Sequence, residues 1–212
     1  MDKKFIIFDM DGTLVDSMGY WTRLAEEYLH SKGISSISED VQEKVKVMTV
    51  PESAALFEKE YGFSCSVETL CKEMNDIMEA HYQQDIPLKP GVSDFLKKLH
   101  EQGVQMCVAS STAAPLMEAC LRRLDVLDYF QFLLSCEEVG AGKTQPDVYH
   151  QACEKLGACH AETAVYEDAL YAAKTAKEAG YYVVGVYEDS DKAHWNELVQ
   201  LADETILTYT SL

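Results

Sequence analysis

Phe5-Ile6-Ile7-Phe8-Asp9-Met10-Asp11-Gly12-Thr13-Leu14 is the stretch that decides the fold of this 212-residue chain. Four consecutive apolar residues without polar alternation describe a strand buried on both faces, which belongs in a parallel sheet covered by helices. Ending such a strand on Asp9 and Asp11 is costly unless something neutralises the carboxylates. Ligands of doubly wound sheets bind beyond the carboxyl ends of the strands, so the place suits a site. Gly12 permits the sharp turn that brings both carboxylates toward one point. Asp16-Ser17 reads as the cap of a following helix, but Asp9 comes too early to cap anything.

Working outward, the same type of strand recurs at Val104–Ala109, Phe132–Ser135, Ala164–Tyr166 and Tyr182–Tyr187, and more weakly at Ile206–Tyr209. Helical patterns separate them. Val92, Phe95, Leu96 and Leu99 recur at helical spacing and stop at Gly103. Pro115 precedes Leu116–Leu124, Pro146 opens another helix, and Ala172–Ala179 ends at Gly180. Residues 15–88 lack convincing strands. Trp21, Leu24, Tyr28 and Leu29 form one amphipathic stripe, Val41, Val45 and Met48 a second, and Ala54–Phe57 a short third. Val67 to His81 make a long fourth, with Ser66 as N-cap. The expected organisation is therefore an α/β doubly wound parallel-sheet core, residues 1–14 and 89–212, carrying a four-helix cap domain at 15–88.

Charge narrows the partners. Thirty-six acidic residues against 18 basic ones give a formal charge of −18, and the mean field repels nucleic acid and anionic membranes alike. The four-residue apolar run is too short for a signal-peptide core or a membrane span, so a cytoplasmic, unexported protein is expected. The seven cysteines include no C-x-x-C pair, and reduced, mostly buried thiols are expected. Nothing in the sequence calls for an obligate protein partner. A small anion remains compatible with the charge if a metal and a local cation reverse the field in one cleft.

The ends of later strands supply further pieces. Ser110-Ser111-Thr112 follows an apolar strand and offers hydroxyls and amides to an anion. Lys143 sits in a glycine-containing loop, Gly140 to Asp147, and is by itself as readily a solvated lysine. Glu167-Asp168 ends another strand in a second acidic pair, which could equally mark a helix N-terminus.

Taken in order, these motifs resemble the haloacid dehalogenase superfamily: Asp9 to Thr13 as D-x-D-G-T, then Ser110, then Lys143, then Glu167-Asp168 before an alanine-rich helix. The spacing is similar to the subfamily with a helical cap after the first strand, which includes β-phosphoglucomutases and phosphoglycolate phosphatases. The resemblance implies phosphoryl transfer through an aspartyl phosphate, with Asp9 as nucleophile and Asp11 as general acid and base. It implies Mg²⁺ held by the Asp9 carboxylate, the Asp11 carbonyl and Asp168, with Glu167 bound directly or standing behind them. Lys143 would hold Asp9 and the phosphate together, and Ser110 and Ser111 would take phosphate oxygens. Asp11 argues against the metal-free dehalogenases, which lack it. The expected activity is thus a phosphatase acting on a small phosphorylated metabolite, with β-phosphoglucomutase as the alternative and a non-catalytic phosphate-binding protein as the third reading.

Several positions depart from the mutase pattern. Trp21 stands where that branch has His, and Thr49 to Ser53 contains no Arg. Ala113 and Ala114 replace polar substrate-facing residues. The insert holds six basic residues against 14 acidic ones, −8 in all, which leaves −10 for the rest and disfavours a bisphosphate unless Arg23 or Lys46 is well placed. The usual K-P-x-P is Lys143-Thr144-Gln145-Pro146, which is expected to loosen the lysine loop. Ala169-Leu170-Tyr171-Ala172 likewise departs from the small-residue pattern after the acidic pair.

Overall fold

The structure, a computed structural model, describes residues 3–45 and 48–211. Six strands, β1 (Phe5–Phe8), β2 (Gln105–Ser110), β3 (Leu133–Ser135), β4 (Thr163–Glu167), β5 (Tyr182–Val186) and β6 (Glu204–Ile206), form one parallel sheet in the order β3-β2-β1-β4-β5-β6. This is the doubly wound α/β architecture that the apolar runs call for. β1 lies at its centre, with Phe8 in register with Val108 on one side and Tyr166 on the other. Its residues feed both faces. Ile7 joins Cys107, Val165 and Val183 on one, while Phe8 meets Phe95 edge-to-face at 6.4 Å on the other. Burying Ile6, Ile7 and Phe8 contributes about 1.5–3 kcal/mol each, which offsets the cost of the charged groups at the strand's end.

The chain divides into two compact units, Met1–Ser17 with Ile86–Leu212, and Met18–Asp85. In the second, α1 (Met18–Ser31), α2 (Glu39–Val45), α3 (Val50–Tyr61) and α4 (Val67–Gln84) bury the stripes read from the sequence: Leu24, Tyr28 and Leu29 from α1, Leu70, Met74 and Met78 from α4. Ser66 caps α4 by accepting from the Thr69 N–H at 3.3 Å. α3 runs well beyond the Ala54–Phe57 stripe because Thr49 and Glu52 form a capping box at its start and Gly62 closes its end. Met48 lies outside α2, and Lys46 lies outside the described residues. Trp21 donates from Nε1 to the Tyr82 hydroxyl at 3.1 Å, so it joins α1 to α4.

His81 also ties these two helices together. Its ring, 15% exposed, bonds Glu27 at 2.9 Å and Asp85 at 2.8 Å. Burial pulls its pKa down, but Glu27 and Asp85 outweigh burial and hold it above 6.5. A raised histidine pKa gives stability that is fully present below the unfolded value and lost as pH rises through the folded one. His81→Gln is therefore expected to lower the thermal midpoint at about pH 6 and to converge on wild type by about pH 9, which melting curves at the two pH values will show.

In the first unit, α5 (Val92–Glu101), α6 (Ala114–Arg123), α7 (Cys136–Val139), α8 (Asp147–Lys155), α9 (Leu170–Glu178) and α10 (Trp195–Leu201) alternate with the strands. The sequence pattern does not reveal α7, a single turn closed by the Ser135–Glu138 capping box, nor α10. The strand expected at Ile206–Tyr209 is displaced to Glu204–Ile206. Glu204 and Thr205 are exposed on the sheet edge, and Tyr209 instead packs its ring on Phe95, 5.2 Å between centroids. Gly91 is required there: a Cβ on it would lie 2.5 Å from the Thr210 nitrogen. All seven cysteines are free, with Cys159 exposed and Cys107, Cys120, Cys136 and Cys153 buried. No helix among the described residues is long and apolar enough to cross a membrane.

Candidate active site

The carboxyl ends of β1 and β4 place Asp9 beside Glu167 and Asp168. The Asp9 N–H bonds the Tyr166 carbonyl at 3.0 Å, so the sheet ladder itself sets where the first carboxylate emerges. Asp9, Glu167 and Asp168 are all buried and offer carboxylate oxygens within 4.8 Å of one another. Lys143 reaches into this cluster from the loop before α8. Only 4% exposed, it donates to Asp9 Oδ1 and, at 2.5 Å, to Glu167 Oε1. The loop without the first proline therefore still seats its lysine, helped by a turn in which the Gln145 N–H bonds the Gly142 carbonyl at 2.9 Å.

Three buried carboxylates share this single ammonium within the cluster. Burial pushes the Asp9 pKa well above the usual carboxylate range; Lys143 opposes this, while Glu167 and Asp168 add to it. Asp168 is pushed up to about 7, chiefly by burial and by Glu167, against the Thr13 hydroxyl that donates to it at 2.8 Å. Burial would lower Lys143, but Asp9 and Glu167 outweigh it and hold the ammonium charged. The oxygen-rich, electron-rich cluster fits a hard divalent cation, which would remove the charge excess left by one lysine.

Asp11 sits in separate bonds. Ser17 donates to its Oδ1 at 2.7 Å and Thr112 to its Oδ2 at 2.6 Å. Ser17, read as a helix cap from sequence, thus turns its hydroxyl proton to Asp11. Ser110 ends β2 and is buried, its hydroxyl accepting from the Thr112 N–H at 3.1 Å. Ser111 is exposed, and its hydroxyl donates toward Cys136 Sγ at 3.8 Å. The structure thus gathers Asp9, Lys143, Glu167 and Asp168 directly, and links Ser110 to Asp11 through Thr112.

Sequence reasoning missed Tyr149. Buried on α8, it donates to Glu167 Oε1 at 2.9 Å, so that oxygen accepts from Lys143 and Tyr149 together. Burial and Glu167 hold its phenol well above the usual range, which keeps it a neutral donor. Its one sequence signal is a hydroxyl on an otherwise apolar helix face, three residues past Pro146. Tyr171, at the start of α9, is 56% exposed and marks where the sequence departs from small residues.

A fold of this topology with four such motif positions defines a class of phosphate-handling hydrolases, and comparison with known families agrees. A family model described as haloacid dehalogenase-like hydrolase matches residues 6–186. The chain belongs to that family. The chain is 27% identical over 177 residues to the phosphorylated carbohydrates phosphatase of Thermotoga maritima, covering 82% of this chain and 81% of that one. It is 28% identical over 200 residues to the β-phosphoglucomutase of Bacillus subtilis, covering 86% and 83%. Among solved structures, CbbY of Rhodobacter sphaeroides, in complex with phosphate, superposes with a TM-score of 0.78 at 21% identity, covering 99% and 96%, which is a likeness of fold.

Proposed function

We propose that the protein is a Mg²⁺-dependent phosphatase of a small phosphorylated metabolite, a sugar phosphate or phosphoglycolate, acting through an aspartyl phosphate on Asp9. The observation that carries this reading is Lys143 buried between Asp9 and Glu167, with Asp168 beside them and Asp11 held two residues away. The phosphorylated carbohydrates phosphatase among the relatives supports the substrate class.

In this mechanism an Asp9 oxygen attacks phosphorus in line. The bond to the leaving alcohol breaks as the Asp9–phosphorus bond forms, and Asp11 gives its proton to the departing oxygen. Water then attacks the same phosphorus, Asp11 takes a proton from it, and orthophosphate leaves with Asp9 regenerated. Lys143 steadies the Asp9 carboxylate against a phosphate oxygen, and Ser110 donates to another. Asp9, Asp168 and the Asp11 carbonyl would hold Mg²⁺, with Glu167 adjoining. The ion would neutralise the charge that otherwise keeps a carboxylate from a phosphate dianion.

Phosphate release from a panel of sugar and glycolate phosphates, with and without Mg²⁺, tests the reading. Turnover that needs the metal is expected, whereas inactivity across the panel refutes it. Metal-dependent binding without turnover would favour a phosphate-binding protein. Asp11→Ala is expected to slow steady-state turnover by about 10²–10⁴ while leaving Asp9 and Lys143 paired; an unchanged rate removes Asp11 from proton transfer.

The likeness to a β-phosphoglucomutase favours the alternative of phosphoryl transfer between sugar positions. The absence of an arginine from Thr49 to Ser53 weighs against it, because a bisphosphate intermediate needs a second anchor. Glucose 6-phosphate rather than free phosphate, formed from β-glucose 1-phosphate, would decide for the mutase.

A further inference from the structure

Lys89 lies outside the acidic cluster, and the mechanism above does not use it. Its side chain is 13% exposed and donates to three acceptors: the Gly12 carbonyl at 2.6 Å, the Tyr187 carbonyl at 2.8 Å and Glu188 Oε2 at 2.7 Å. Those bonds use all three protons of an ammonium. They also join segments far apart in the chain. Gly12 belongs to the turn after β1, Tyr187 and Glu188 follow β5, and the Lys89 N–H itself bonds the Leu14 carbonyl at 2.9 Å.

Gly12 is where a fixed carbonyl matters most. Its φ of 80° is open to glycine and costly for other residues; within the turn the Gly12 N–H bonds the Val15 carbonyl at 3.0 Å and the Thr13 N–H the Met10 carbonyl at 3.3 Å, while Lys89 takes the Gly12 carbonyl. Asp11 immediately precedes Gly12. Thr13 immediately follows it and donates to Asp168 at 2.8 Å. A shift of the turn at Gly12 would therefore move a proton-transfer carboxylate on one side and, on the other, the hydroxyl that bonds Asp168. Two of the three bonds go to backbone carbonyls, so the ammonium tethers the turn as well as pairing with Glu188.

We propose that Lys89 is a positioning residue: by holding the Gly12 carbonyl it fixes the Asp9–Val15 turn in the form that binds metal and presents Asp11. Its kinetic consequence rests on the phosphatase reading; its structural consequence does not. Lys89→Met, Glu188→Gln and the double variant Lys89→Met/Glu188→Met separate positioning from stability. Three measurements apply to each: amide hydrogen exchange at Gly12 and Thr13, Mg²⁺ binding by calorimetry, and kcat with KM.

Lys89→Met is expected to speed exchange at those amides by about tenfold or more, to weaken Mg²⁺ binding, and to lower kcat by about 10–100-fold with KM within about threefold. Glu188→Gln keeps an acceptor and both carbonyl bonds, so exchange, metal affinity and kcat stay within about twofold of wild type even where the thermal midpoint falls. The double variant replaces the ion pair with apolar groups but leaves the Gly12 and Tyr187 carbonyls without their donor, so it is expected to recover part of the midpoint at most, and neither the slow exchange nor kcat. Wild-type exchange at Gly12 and Thr13 in Lys89→Met, or full recovery of kcat in the double variant, would overturn the proposal. If the wild type hydrolyses no phosphomonoester, the phosphatase reading falls, while exchange and Mg²⁺ binding still decide the role of Lys89.

Discussion

Asp9→Asn is expected to abolish phosphate release, by about 10⁴-fold or more, and at the same time to raise the thermal midpoint of the metal-free protein at neutral pH. The first effect follows from removing the nucleophile, since the neutral amide cannot form the aspartyl phosphate. The second follows from the crowding of buried negative charge. Burial and the neighbouring Glu167 and Asp168 raise the Asp9 pKa despite Lys143. A carboxyl whose folded pKa is raised is a burden above its unfolded value, so deleting its charge stabilises the fold there and changes little in strong acid. Phosphate-release assays and melting curves in chelator check both halves. A variant that is inactive and less stable than wild type would mean that the Asp9–Lys143 pair outweighs the repulsion.

Lys143→Met is expected to move stability the other way. It leaves Asp9, Glu167 and Asp168 buried without their ammonium, and breaking a buried pair costs about 3–5 kcal/mol. Turnover is expected to fall by about 10²–10³ because the positive charge facing the phosphate is gone. Mg²⁺ is expected to restore much of the lost midpoint, since a ligand that binds only the folded state adds about 2.7 kcal/mol at a hundredfold excess over its Kd. Melting curves with and without Mg²⁺ measure this. A variant as stable as wild type in chelator would show that the carboxylates are neutral in the resting protein. The opposite signs for Asp9→Asn and Lys143→Met make the pair a sharper test than either alone.

The parallel sheet was legible because β1, β2, β4 and β5 are nearly uninterrupted apolar runs, and only burial on both faces explains such runs. β6 was misplaced because an edge strand pairs through its backbone and leaves Glu204 and Thr205 to solvent, which erases the apolar signal. α3 was underestimated because its length depends on Thr49, Glu52 and Gly62, polar and small residues that carry no hydrophobic period. At the candidate site, Asp9, Asp11, Ser110, Lys143, Glu167 and Asp168 stood out through order and spacing. Tyr149 and Lys89 did not, nor did the bond from Thr112 to Asp11, because each rests on a contact that only folding creates, 18 to 101 residues away in the chain. Ser17 does stand directly before α1, as its hydroxyl suggested, but that its proton goes to Asp11 is visible only in the fold.

The crossing at Val15 and Leu88 has a wider consequence. These two residues form an antiparallel bridge, reinforced by the Asp16 N–H on the Pro87 carbonyl at 2.9 Å. The segment between them therefore begins and ends at one spot on the sheet-bearing unit, like a loop tied off at its base. Closing a flexible loop costs only about 0.6 kcal/mol more for each doubling of its length. What hangs from that spot can consequently lengthen, shrink or be exchanged for an unrelated fold while β1 still delivers Asp9 to the same place. The carboxylate cluster is anchored in the sheet, and the whole of Met18–Asp85 enters and leaves the chain at that one spot.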